Sequence, residues 1–530
     1  MRTRPIGQTG AAVPAVAVAA VAVVATVLLA TACTSSQPNP TTSTFSGAAT
    51  PAGSWAYPNG NLANTRVAAT TITAANVSSL HEAWSFHLTG TAAAGVNGAG
   101  SFAATPIVVN GVVYAQDLDA NVYAISLATG KLRWEYPVNV PEASGPGPDG
   151  VAVAGGVVYG DTSTAVFALN AATGTVIWTD NGLLTGGQGS FEIQPQVAGG
   201  RVYLASAYGS GPGGGVLLAL NASSGKLVWK FNTLTGGQGA GVASLGLGSG
   251  GAWETPLVGG DGSVTFGIGN PYQSIGGAIE HPARLLYTDS ELNLDAATGK
   301  LRWYYQALPN DFKDHDLQTS PISAVVGGAP AIIASGKLGI VYAMNASTGA
   351  LLWQRPVGAH NGTDNDSALL LEHKLTLKLP YTWEPGPLGG VLSNLAVAGG
   401  SVYVATLNAP VTSTTLSSVN GNAAVKGEKA GGEIEALSLA TGAVEWDTTV
   451  DTLPLGATTV ANNLIFTTLV TGKLIALNRA TGAIVYSRAL PTTTNSAIAI
   501  AGNTVLVPAG GPGSSAKGGG NPQLVAYTVS

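Results

Sequence analysis

The sequence predicts an all-β fold, an eight-bladed propeller of four-stranded antiparallel blades. Three observations lead there: a recurring strand–turn–strand phrase, a second hairpin upstream of most copies, and complementary strand deficits at the two ends of the chain. The phrase pairs an apolar strand with A-T-G or S-T/S-G and a short strand ending in an aromatic residue. It occurs as VYAISLATGKLRW ending at Trp134, VFALNAATGTVIW at Trp178, LLALNASSGKLVW at Trp229 and ELNLDAATGKLRW at Trp303. VYAMNASTGALLW at Trp353, IEALSLATGAVEW at Trp446 and LIALNRATGAIVY at Tyr486 follow.

Within each copy the alternating apolar run reads as one strand, and the glycine sits where the turn needs a positive φ. The upstream hairpin, as in TPIVVNGVVYAQD or PQVAGGRVYLAS, brings the count to four strands per repeat. A sheet of that size cannot bury both faces alone, so blades must stack, and a closed ring leaves no free end. Seven copies are complete. SAIAIAG, TVLVPAG and QLVAYTV near the C-terminus supply three strands of an eighth, and HEAWSFHL around Trp84 supplies its outer strand, closing the ring.

Composition narrows the function classes. Charged residues are 9% of the chain, against roughly 25% in an average soluble domain, and the formal net charge is −6. No basic run could neutralise a phosphate backbone, which argues against nucleic acid as a partner. Residues 1–33 read as an export signal: Arg2 and Arg4 precede an Ala/Val/Leu stretch from Ala15 to Ala32. Its end, L-A-T-A-C, resembles a bacterial lipobox and makes Cys33, the only cysteine, the expected lipidation site. An uncleaved signal anchor or plain secretion is the alternative; each places the body outside the cytoplasm. Residues 34–54 form a Ser/Thr/Pro-rich tether, and 55–530 the propeller.

These repeats resemble the pyrroloquinoline-quinone (PQQ) type of quinoprotein alcohol dehydrogenases. The resemblance extends to WAYPNGNLANTR from Trp55 to Arg66, SGGAWETP, GIGNP, and LYTDSELNLDAATGKLRWYYQALPNDFKDHD ending at Asp316. It implies PQQ in the central funnel with calcium or a lanthanide ion, an alcohol as substrate and an external electron acceptor. Carried over, Trp253 is the floor on which the flat cofactor stacks, and Lys337, in SGKLGIVYAMN, faces the quinone oxygens. Asn270, Asp314 and Asp316 are the metal ligands, with Asp314 also the catalytic base.

The sequence departs from that pattern in four places. Ser210 and Ala103 stand where the family carries acids, Asp149 stands where it carries an arginine, and the adjacent cysteines that cover the cofactor are absent. The repeats are also similar to those of BamB-type propeller lipoproteins. That likeness implies the alternative of a cofactor-free scaffold binding other envelope proteins, with a sugar-binding surface as a third reading. The six histidines show no metal spacing, and AHNGTDND at 359–366 reads as a solvated insertion.

Overall fold

The computed structural model describes residues 53–88, 102–138, 150–207, 209, 213–234, 250–419, 430–510 and 522–529. The expected signal, Cys33 and all but the last two residues of the expected tether fall outside them, as do Ser210 and Asp149. Eight four-stranded antiparallel sheets follow one another around the ring. Blades 1 to 7 span residues 107–136, 152–180, 196–232, 257–306, 322–356, 396–450 and 459–489. Blade 8 takes Ala499–Ala501, Thr504–Ala509 and Gln523–Thr528 from the C-terminus and His81–His87 from the N-terminal side. Trp84 and the last strand therefore share a blade, as the complementary deficits require. Ser190–Phe191 adds a fifth strand beside blade 3, and Val67–Ala68 adds one, parallel, to blade 7.

The recurring Gly and Trp turn out to be two halves of one joint. In every blade the outermost pairing skips the residue just before the aromatic, a bulge that re-aims the ring towards the next blade. Seven indoles then donate Nε1–H to a backbone carbonyl of the neighbouring blade. Trp84 reaches Leu127 O at 2.8 Å, Trp134 reaches Ala171 O at 2.9 Å, and Trp178 reaches Ala222 O at 3.0 Å. Trp229, Trp303, Trp353 and Trp446 repeat the bond. The ring itself lies on the neighbour's turn glycine: a Cβ at Gly225 would stand 2.6 Å from Trp178.

Trp229 and Trp303 are buried and the other five of these indoles are half-buried, so the joint is a surface-reaching clasp more than a core filling. Blade 7 presents Tyr486 instead. The blade after it has its outer hairpin divided between the chain termini, so no A-T-G turn exists there for an indole to cover. Arg488 fastens that seam, donating to Leu80 O at 2.9 Å and stacking 4.7 Å over Tyr527.

The joint makes a checkable distinction between glycines. Gly225→Ala meets both a positive φ of 71° and the indole, whereas Gly200→Ala meets a φ of 74° with open space around it. We expect about 1–2 kcal/mol of destabilisation at 200 from the backbone alone. Overpacking adds about 1–3 kcal/mol more at 225. Chemical denaturation of the two variants measures the difference, and equal losses would remove the indole from the account.

The segment 55–68 threads the axis of the ring. Trp55 pairs with Val108 of blade 1, Ser323 N of blade 5 donates to Ala63 O, Val397 N of blade 6 donates to Thr65 O, and Val460 N of blade 7 donates to Arg66 O. Asn64 Nδ2 donates to Pro321 O at 2.9 Å. Arg66 of this segment is fully buried where the starts of blades 7, 8 and 1 meet. Its guanidinium donates to Asn59 Oδ1, Thr459 Oγ1 and Ile498 O, each at 2.9 Å, and to Thr458 O at 3.0 Å. Burial lowers its pKa to about 9 against the opposing pull of Glu254. A polar segment thus closes an axis lined by strand ends whose carbonyls need donors.

Candidate functional site

A cavity of about 720 Å³ opens on the face formed by the connections between blades and by the loops after each blade's second strand. That volume suits a drug-sized ligand or cofactor. Asn59 of the axial segment lies among its lining residues, beside Trp253, Asn270, Asp314 and Lys337.

Local sequence brings these groups together. GIGNP ends the second strand of blade 4, and its Gly269 cannot carry a side chain: a Cβ there would lie 2.5 Å from Asp316 Oδ1 and 3.2 Å from Trp253 Nε1. Asn270 therefore arrives beside both residues. Its backbone N–H donates to Asp316 Oδ1 at 2.7 Å, and its Nδ2 donates to Asp314 Oδ1 at 2.6 Å. In the D-F-K-D-H-D loop, Asp311 accepts the backbone N–H groups of Lys313 and His315 at 3.0 and 2.7 Å. Asp314 at the apex takes a left-handed φ of 69°, a conformation that Asp tolerates better than most residues. The S-G-K turn of blade 5 abuts this loop, with Lys337 N donating to Asp316 O at 3.0 Å.

Lys337 Nζ stands 2.8 Å from Asp314 Oδ2 and 2.7 Å from Asp316 Oδ2. Burial would lower the pKa of this ammonium, but the carboxylates of Asp316 and Asp314 outweigh it and hold the group protonated. Burial raises Asp314 to about 7, with the Asp316 charge adding to the rise and Lys337 opposing it. A carboxylate poised near neutrality at a cavity wall, 16% exposed, is chemically suited to exchange a proton with a bound molecule.

The five residues named from the sequence for the cofactor and metal site are thus brought to one region. Asn270, Asp314, Asp316 and Lys337 touch one another, and Trp253 forms the adjoining wall. Asn270, Asp314 and Asp316 offer the hard oxygen donors a calcium or lanthanide ion takes. Among the described residues no group of three or more His, Cys, Asp or Glu side chains is arranged to hold a metal ion, so such an ion would draw on two carboxylates and one amide here. For PQQ, the indole face of Trp253 and the Lys337 ammonium fit the flat ring and its quinone oxygens. Lys337 is the one cation among the described lining residues, which also include the acids Asp314 and Glu254 and the neutral Asn59, Gln194, Gln318 and Asn394. Ala103, where the family carries an acid, lines the cavity as well.

Sequence reasoning missed three contributors. Glu254, next to Trp253, accepts Asn394 Nδ2 at 2.9 Å, and burial raises it to about 7 against Asn394 and Arg66. Leu388, Leu392, Leu453, Leu455 and Val470 form an apolar wall from the connections around blades 6 and 7. The stretch 359–366 is not simply solvated. Asp366 is buried and pairs with Lys313 at 2.6 Å, and His360 bonds Asp364 at 2.9 Å and Gly339 O at 3.1 Å. Its partners lie elsewhere in the chain, and the polar composition of the stretch gave no sign of them.

A family model described as glucose/ethanol/alcohol dehydrogenase, beta-propeller domain, matches residues 55–154 and 187–364, together more than half of the chain. A second, outer membrane protein assembly factor BamB, matches residues 430–528. The quinoprotein alcohol dehydrogenase PedH of Pseudomonas putida is 27% identical over 268 residues, covering 46% of this chain and 44% of that protein. A quinohemoprotein alcohol dehydrogenase of Comamonas testosteroni is 27% identical over 388 residues, covering 64% and 52%. The chain spans about half the length of the curated relatives it matches, or less. The crystal structure of the Comamonas testosteroni enzyme superposes with a TM-score of 0.75 at 24% identity, covering 90% of this chain and 80% of that one. A europium-containing methanol dehydrogenase gives 0.72 at 18%, covering 90% and 98%. These two likenesses speak for the fold.

Proposed function

The chain belongs to the glucose/ethanol/alcohol dehydrogenase β-propeller family, and from that premise we propose that it is an extracytoplasmic quinoprotein dehydrogenase oxidising an alcohol to the corresponding carbonyl compound. The observation that carries the reading is the meeting of Asn270, Asp314, Asp316 and Lys337 at a cavity walled by Trp253. PQQ, when bound, supplies the acceptor for the hydrogen and two electrons leaving the alcohol carbon, and an external carrier takes them onward.

The chain's own residues do the rest. Asp314, whose carboxyl burial raises towards neutrality, accepts the hydroxyl proton. Lys337 holds that carboxylate in place and sets a positive charge where negative charge develops. Asn270 fixes the other Asp314 oxygen, Asp316 anchors Lys337 and the Asn270 backbone, and the leucine wall limits water. Asn270, Asp314 and Asp316 would hold the calcium or lanthanide ion. The BamB-like scaffold reading asks for none of this charged constellation, and the axial closure by residues 55–68 likewise favours a blind pocket for a small molecule.

Reconstitution tests the proposal. The purified chain, incubated with PQQ and calcium or a lanthanide, is expected to develop quinone absorbance and to reduce a dye when a primary alcohol is added. Failure of both with every metal would refute it and leave the scaffold.

A further inference from the structure

The loop that carries Asp314 does not hold its shape by itself. Asp311 supplies its internal hydrogen bonds, but the side chains on either side of Asp314 point away from the cavity and into the 357–394 insertion. Lys313, only 2% exposed, has its ammonium 2.6 Å from Asp366 Oδ2 and donates to Thr363 O at 3.0 Å. The ring of Tyr381 lies 5.4 Å from that ammonium, and its hydroxyl donates to the same Asp366 oxygen. On the other side, His315 Nε2 lies 3.0 Å from Pro385 O. One residue pair further back, Asn310 N–H donates to Ser367 Oγ at 2.8 Å. Asp366 and Ser367 open helix α1, Asp366–Leu371, and Tyr381 begins the strand Tyr381–Trp383, which pairs with Val411–Ser413.

Two facts make this more than incidental support. The buried cation and anion pair through a single geometry, and removal of Asp366 takes from Lys313 its only direct ion-pair partner among the described residues and its largest favourable charge, leaving the more distant Asp311 and Asp364. The residue between the two anchored side chains is the one non-glycine in the loop with a positive φ, a conformation that persists only where surroundings over-determine it. Resting on the reading of Asp314 as the proton acceptor, we propose that Asp366 is a positioning residue for the reaction: with Tyr381 it clamps Lys313 and so fixes the Asp314 backbone at the angle that presents its carboxylate to Asn270, Lys337 and the cavity. The insertion thereby acts on the chemistry through the chain, without reaching the substrate.

The test uses the full-length chain in two preparations. In the protein loaded with PQQ and calcium, Asp366→Asn is expected to lower kcat about tenfold or more while KM stays within about twofold, because a misplaced base impairs the chemical step and not substrate binding. Tyr381→Phe, which keeps the ion pair and loses one hydrogen bond, is expected to show the same split at smaller size and guards against a failure of Asp366→Asn to fold. In the unloaded protein, amide hydrogen exchange followed by mass spectrometry is expected to accelerate in peptides covering 309–317 for Asp366→Asn and to stay unchanged in blades 1 to 3. Unchanged kcat in an active enzyme, or loss of protection spread evenly over the propeller, would overturn the proposal. If the wild-type chain turns over no alcohol with any metal, the dehydrogenase reading fails on its own. The exchange result then decides the clamp: local acceleration sustains it as the holder of the Asp314 loop, and unaltered exchange ends it.

Discussion

Asp314→Asn is expected to lower alcohol-dependent dye reduction by about 10²- to 10⁴-fold, the range typical for loss of a general base, in a protein that still melts as a propeller. The reason is local. The carboxylate bonds only Asn270 and Lys337, both at the cavity wall, and a neutral amide of the same shape can accept the Lys337 hydrogen bond but cannot take a proton from a hydroxyl. Blade cores, made of alternating Val, Leu, Ile and Ala side chains, do not contact it. Steady-state kinetics beside a thermal melt would check the claim, and retention of more than a tenth of wild-type kcat would assign the base elsewhere.

Arg66→Met is expected to produce the largest stability loss of any single substitution away from the blade cores, about 3–5 kcal/mol, the range for removing one member of a buried charge network. Five acceptors from the axial segment and from the starts of blades 1, 7 and 8 converge on this one guanidinium: Asn59 Oδ1, Thr105 Oγ1, Thr459 Oγ1 and the carbonyls of Thr458 and Ile498. Methionine fills the volume and donates to none of them, leaving Asn59 Oδ1 with only the Asn394 Nδ2 bond and the other four acceptors without the guanidinium. Glu254, which Arg66 draws downward, would shift further up. Denaturant titration reads the effect. A loss below about 1 kcal/mol would mean that water enters the axis and replaces the arginine.

Much of the fold was legible because a repeated phrase states its own period: glycine, short strand and aromatic recur with few substitutions, and two incomplete ends add up to one blade. What the phrase could not convey is why glycine and tryptophan travel together. Gly225 was accounted for by its turn, yet the indole of Trp178, one blade earlier, occupies the space of its missing Cβ; the two residues are 47 positions apart and meet only once blades stack. The site candidates were legible through short segments whose order matched a family, and Asn270, Asp314, Asp316 and Lys337 meet as that order implied. Their support was not. Asp366 looked like one more polar residue in a run of Asn, Asp and Gly, because the cation that makes it a buried anion stands 53 residues earlier. Arg66 was visible only as the last letter of a polar segment, since nothing in the sequence says that the segment runs down an axis.

The strand His81–His87 is laid between nothing and Gln523–Thr528, more than four hundred residues downstream. During synthesis this stretch precedes seven blades and its sheet partner follows them, so His81–His87 stays without its strand partner while those blades take shape. The same holds for the axial segment, whose anchors at Ser323, Val397 and Val460 appear long after it. Ring closure is therefore a late, long-range event whose loop entropy is met all at once. Until then the growing molecule is an open arc, and the strand His81–His87 waits for a partner that follows all seven other blades.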